Sequence, residues 1–278
     1  MTDAFGARLR TALDTRGPLC AGIDPHSALL SAWGVGDDVA GLERFAGTVV
    51  EALGDRVAVL KPQSAFFERF GSRGVAVLER TVADARAAGA VVILDAKRGD
   101  IGSTVEAYAQ AYLDSSSPLF ADALTASPYL GYGSLEPLYA TAEKNGAGVF
   151  VLAFTSNPEG AGVQRARTED GTSVGAAILA QAAERNAGAR PLGPIGAVVG
   201  ATLTDVPFDL GALNGAVLAP GLGAQGATPD GLREIFGDAL HNVVPSMSRE
   251  LLRHGPDVSA LRDAAARNID ECRRALGY

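Results

Sequence analysis

Eight short apolar runs, separated by stretches of helical periodicity and broken by no linker, predict an α/β fold. The expected architecture is a single (β/α)8 TIM barrel over residues 1–278 with an additional N-terminal helix. Each run is short enough for a strand, rich in β-branched or small residues, and bounded by Gly, Pro or Asp. Strands that alternate with helices pair in parallel through right-handed crossovers, and a chain of 278 residues has room for eight such units. A doubly wound sheet is the alternative.

The chain opens on "MTDAFGARLRTALDTRG", where charge alternates with apolar residues. It lacks the continuous apolar core of a signal peptide. The first strand is "LCAGID" (19–24), the second "RVAVLK" (56–61), and the third "AVVILDAK" (90–97). Between the second and third, residues 71–88 place Val75, Leu78, Val82 and Ala85 on one helical stripe. "ADALTASPY" (121–129) and "AGVFVLAFTS" (147–156) follow as the fourth and fifth strands. The polar stretch 157–171 is too long for an ordinary turn and reads as a functional loop. After a helix at 172–188 come "GAVVGAT" (196–202), "GAVLAPG" (215–221) and "NVVPSMS" (242–248). A last helix runs along Val258, Leu261, Ala265, Ile269 and Cys272.

Composition narrows the class. A hydrophobic content of 47% supports a substantial core, and a net charge of −8 with no basic stripe argues against a nucleic-acid or membrane-surface protein. No apolar run reaches the roughly 18 residues of a membrane helix. Cys20 and Cys272 form no CxxC, and His26, His241 and His254 are scattered, so no metal site is expected. Trp33 reads as a packing residue. The expected location is the cytoplasm.

Polar residues collect at one end of the strands. In a strand, residues two apart share a face, so Val91, Ile93, Asp95 and Lys97 point one way. That face is apolar until its last two members, as expected where a barrel strand opens into an active site. Asp24 ends the first strand, Lys61 the second and Ser156 the fifth; Ser127 lies near the end of the fourth, and Arg249 follows the eighth. Asp100 has two readings, a partner for Lys97 or a residue favouring a helix start, since "STVE" (103–106) forms a capping box. The chain has only three lysines, Lys61, Lys97 and Lys144, and lysine can release a proton where arginine cannot. Carboxylates beside Lys97 favour its ammonium, which suits it to protonate a basic carbon and not to attack a carbonyl as a Schiff-base lysine would.

"GLGAQG" (221–226) matches G-x-G-x-x-G but belongs to the seventh strand, too late for a dinucleotide domain. The better reading is a phosphate loop, with Thr228-Pro229 opening a helix behind it. Phosphate sites in such barrels fall after strands 7 and 8, so Arg249 would complete an anion clamp. The ligand is expected to be a phosphate ester.

"LDAKRGDIGST", with "CAGIDPH", "VLKPQSAFFE", "APGLGAQG" and "SMSRE", resembles the orotidine 5′-phosphate decarboxylase family, in particular its longer bacterial branch. The likeness covers essentially the whole chain in order, and D-x-K-R-x-D followed by I-G-x-T is its most specific part. It implies conversion of orotidine 5′-monophosphate to uridine 5′-monophosphate and CO2 without cofactor or metal, in a homodimer with shared active sites. By position, Asp24 and Lys61 would bind ribose hydroxyls, with Lys61 also tied into the charged array. Asp95 would face the substrate carboxylate and Lys97 would protonate C6. Asp100, Ile101 and Thr104 would reach into the partner's site. Ser156 would bind the pyrimidine edge, and Gln225 and Arg249 the phosphate. Two alternatives remain: a metal-dependent keto-gulonate phosphate decarboxylase of the same superfamily, and a barrel that binds a phosphate ligand without catalysis. The first would need an acidic ligand after strand 2, where this chain has Lys61.

Overall fold

The strands β1 (Cys20–Ile23), β2 (Val59–Pro62), β3 (Val91–Arg98) and β4 (Ala123–Ala126) pair in sequence, each parallel to the next. β5 (Gly148–Phe154), β6 (Ile195–Val199), β7 (Val217–Pro220) and β8 (Val243–Met247) continue the series, and β8 returns to β1 to close the barrel. This is the TIM architecture expected from the alternation, seen in a computed structural model that describes residues 4–223 and 226–278.

Side-chain alternation splits the core in two. Outward residues such as Leu60, Val92, Leu94, Leu124, Val151 and Val199 join the apolar faces of the surrounding helices. Inward residues, among them Val59, Val91, Ile93, Phe150, Leu218 and Val244, form a second cluster. That inner cluster is closed by the additional helix, Phe5–Arg16, whose Phe5, Leu9 and Leu13 are buried against it. Phe5 meets Phe150 edge-on with centroids 6.1 Å apart. The approach needs a glycine at the start of β5, because a Cβ on Gly148 would stand 2.4 Å from the Phe5 ring. Arg8 secures the same helix through Asp122, at 2.7 Å, and the Gly146 carbonyl, at 2.8 Å.

The helices expected at 71–88, 172–188 and 258–276 occur as Gly71–Ala87, Val174–Arg185 and Val258–Leu276. Val75 is only half-buried, and Val77 takes the core position beside Leu78. The 157–171 stretch is tied to its surroundings: Gln164 accepts the Thr155 N–H and donates to its hydroxyl, both at 2.8 Å, and Arg165 pairs with Asp205.

Two helix starts differ from expectation. The helix after β3 is Gly102–Leu113, entered from Ile101 with no side-chain cap, so the Ser103–Glu106 box does not form. Gly102 takes φ +55 there and starts the helix two residues too early for Ser103 to cap it. Behind the glycine loop, Thr228 accepts the Gly231 N–H at 3.2 Å in a turn, and the helix begins only at Leu232.

β3 itself is irregular. Its register with β4 shifts between Leu94 and Arg98, and Lys97 has φ +50. A left-handed backbone costs an L-residue roughly 1–2 kcal/mol, so its neighbours must hold it there.

Candidate active site

Because parallel strands all end on the same face, their last inward residues converge. At this end they enclose one cleft of about 520 Å³. Asp24 follows β1, Lys61 belongs to β2, Asp95 and Lys97 to β3, and Thr125 to β4. Thr155 and Ser156 come from the end of β5, Gly221 and Leu222 from beyond β7, and Ser248 and Arg249 from beyond β8. Leu152, Val198, Leu218 and Pro220 supply an apolar wall.

Asp95 is the centre of the charged part. It is 7% exposed, and its Oδ2 accepts Lys61 Nζ at 3.0 Å. Its Oδ1 accepts Lys97 Nζ at 2.5 Å and the Thr125 hydroxyl at 2.9 Å. Lys61 is almost fully buried, whereas the Lys97 side chain is 44% exposed at the mouth of the cleft. The arrangement is therefore one carboxylate shared by two ammonium groups, one sealed and one facing the space a ligand would fill.

Electrostatics fix these charges. Burial opposes the Asp95 anion, but Lys61 and Lys97 overcome it and hold the carboxyl well below the usual range. Burial likewise disfavours the Lys61 ammonium, yet Asp95 and Asp24 more than offset it and hold the amine above the ordinary lysine range. A lowered carboxyl contributes stability above its unfolded value of about 3.9, lost as pH falls through the lower folded value. A raised amine contributes below about 10.4, lost as pH rises through the higher folded value. Across the neutral range, Lys61 and Asp95 both stay charged.

Other polar groups are poised without internal partners. Asp24 Oδ1 and Ser248 Oγ are buried and have no hydrogen-bond partner among the described residues. They meet over Gly22, where a Cβ would come within 2.8 Å of the Ser248 side chain and 3.3 Å of Asp24 Oδ2. Buried polar atoms of this kind call for a ligand's donors and acceptors. Arg249 is exposed at the cleft and makes no salt bridge among the described residues.

Of the residues singled out in the sequence, Asp24, Lys61, Asp95, Lys97, Ser156 and Arg249 therefore meet in one cleft. Four do not line it. Ser127 lies one residue beyond β4, before Pro128; its N–H donates to the Arg98 carbonyl at 2.8 Å, so it ties strand ends together. Asp100 is not paired with Lys97 in its own chain, and its carboxylate instead accepts the Ile101 N–H at 2.8 Å. Ile101 is 61% exposed, and Thr104 is also exposed. Gln225 lies outside the described residues. Thr125, Ser248 and the apolar wall were missed. Thr125 shares the alternating face of Ala123, so the periodicity that picked out Asp95 could have found it.

A closed parallel barrel with a lysine–aspartate–lysine array at its carboxyl end, and an arginine there that makes no salt bridge among the described residues, has the build of a barrel enzyme acting on a small anionic substrate. Residues 17–264 match the sequence profile of the orotidine 5′-phosphate decarboxylase / HUMPS family. The chain is 67% identical over 275 residues to the orotidine 5′-phosphate decarboxylase of Streptomyces coelicolor, covering 99% of both chains. It is 64% identical over 274 residues to that of Salinispora tropica, again with 99% of both covered. A crystal structure assigned to the same activity, from Streptomyces avermitilis, superposes with a TM-score of 0.95 at 64% identity, covering 100% of this chain and 97% of that one. The OMP decarboxylase structure from Leishmania donovani gives 0.77 at 29% identity, with 99% and 100% covered. The chain belongs to the orotidine 5′-phosphate decarboxylase / HUMPS family.

Proposed function

We propose that this protein is a carboxy-lyase that converts orotidine 5′-monophosphate to uridine 5′-monophosphate and CO2, in pyrimidine biosynthesis. The observation that carries the reading is the Lys61–Asp95–Lys97 array, with one ammonium turned to the cleft. Loss of CO2 leaves a carbanion at C6 with no easy delocalisation, so fixed charge must stabilise it. Lys97 supplies that charge and then the proton. Asp95, held ionised by its two lysines, faces the substrate carboxylate, and their repulsion fades as CO2 departs. Asp24 and Lys61 bind the ribose hydroxyls, Ser156 the pyrimidine edge, and Gln225 and Arg249 the phosphate. The keto-gulonate alternative is disfavoured because Lys61, next to last in β2, stands where an acidic metal ligand would be needed, and it pairs with Asp95 at 3.0 Å.

The chain is proposed to act as one domain over residues 1–278, without cofactor, in the cytoplasm, where its free and buried Cys20 and Cys272 suit a reducing compartment. It is also proposed to act as a homodimer with shared sites. Ile101, Tyr129 and Leu130 are 61%, 77% and 54% exposed. They flank the β3 and β4 ends, which lie close enough that a Cβ on Gly99 would stand 2.2 Å from the Ser127 carbonyl oxygen. A second copy covering this rim would receive Asp100, Ile101 and Thr104 at its own cleft.

The phosphate assignment is tested with two substrates. Arg249→Ala should lower kcat/KM for orotidine 5′-monophosphate by about 10²–10³-fold, with losses in both KM and kcat, because remote binding energy is partly realised in the transition state. Orotidine, lacking the phosphate, should be affected several-fold at most. Equal damage to both substrates would put Arg249 elsewhere.

A further inference from the structure

Thr125 is the polar residue of β4, 1% exposed, and its hydroxyl stands between the two halves of the reactive pair. It donates to Asp95 Oδ1 at 2.9 Å and accepts the main-chain N–H of Lys97 at 2.9 Å. A hydroxyl has a single proton to give and two lone pairs to receive, so both bonds form at once without conflict.

The register explains why a side chain is needed here. β3 advances from Leu94 to Arg98 while β4 advances only from Leu124 to Ala126. The residues between are left without ladder partners on β4, and the buried face of a barrel strand tolerates few unpaired N–H groups. Thr125 Oγ1 takes the place of the missing strand carbonyl for Lys97. Regular pairing resumes beyond it, where Ser127 N–H donates to the Arg98 carbonyl at 2.8 Å.

Lys97 is one of two non-glycine residues with positive φ among the described residues, at +50. Left to itself an L side chain avoids that conformation. In it, the Lys97 ammonium reaches back to Asp95 Oδ1, the oxygen that also receives the Thr125 proton. The carboxylate and the lysine backbone are thus fixed to one atom, and that atom belongs to a residue with a stiff, β-branched side chain.

We propose that Thr125 is a positioning residue for the proton transfer: its hydroxyl holds Lys97 in its left-handed conformation and Asp95 in register with it. This rests on the decarboxylase reading above. Thr125 does not itself bond to the reacting carbon. Its contribution therefore belongs in the rate of the chemical step and not in substrate affinity.

The test compares wild type with Thr125→Val, which keeps the shape and removes the hydroxyl, and Thr125→Ser, which keeps the hydroxyl. With orotidine 5′-monophosphate, the valine variant should lose at least about tenfold in kcat while KM stays within about threefold, folded and with a Tm lowered by several degrees for the Lys97 N–H left unpaired. The serine variant should recover most of the loss. Thr125→Ala adds no bulk beside Asp95 and carries the same comparison should the valine chain not fold. A valine or alanine variant within twofold of wild-type kcat, or a serine variant no better than these, overturns the positioning role. A wild-type chain that leaves the substrate unchanged removes the decarboxylase reading, and the positioning role with it.

Discussion

Lys97→Ala abolishes turnover of orotidine 5′-monophosphate, a loss of about 10⁴-fold or more in kcat, while the barrel stays folded. The side chain is 44% exposed and packs in no core cluster, so its removal costs charge and a proton, not burial. Asp95 keeps Lys61 and Thr125 as partners in the variant. Lys97→Arg fails as well, because a guanidinium does not give up its proton and its planar fork does not fit the ammonium's place. Lys97→Gly separates chemistry from conformation. It removes the cost of φ +50, so it should be at least as stable as the alanine variant and equally inactive. Steady-state kinetics with thermal denaturation on the three variants checks this, and near-normal activity in the arginine variant would refute the proton-donor role.

Mixing two inactive chains restores activity. Lys97→Ala and Asp100→Ala are each inactive alone if Asp100 serves the neighbouring cleft. The structure motivates this: Asp100 makes no salt bridge to Lys97 within its chain and leads into the exposed Ile101. In a mixed dimer one site carries both lesions and the other carries neither. Statistical exchange of equal amounts therefore returns about a quarter of wild-type activity. Subunit exchange is followed independently by mass spectrometry of differently tagged chains. Complete exchange with no recovery would place Asp100 in its own chain's site.

The parts of this site that could be read from the sequence are those governed by strand periodicity. Alternation placed Asp95 on the inner face of β3, and the strand ends supplied Asp24, Lys61, Ser156 and Arg249, because parallel strands in a barrel must end together. Alternation does not show a register slip. The break between Leu94 and Arg98, which sets the Lys97 backbone, depends on what β4 offers opposite, and that is a tertiary fact. The same limit explains Ser127. It has the right parity, but β4 ends at Ala126, so Thr125 holds the position facing the cleft. Leu152, Val198 and Leu218 escaped notice because an apolar side chain lining a cleft has the same composition as one filling a core. The capping box at Ser103 failed because a glycine with positive φ began the helix first.

The charged array is proposed to perform the decarboxylation by itself. The direct measurement is the loss of orotidine 5′-monophosphate absorbance on adding the purified protein, with and without prior treatment by a strong chelator. Conversion to uridine 5′-monophosphate and CO2 at the same rate in both samples is expected. Absence of any conversion by folded protein would contradict the assigned activity, and conversion that stops in the chelated sample would contradict catalysis by Lys61, Asp95 and Lys97 alone.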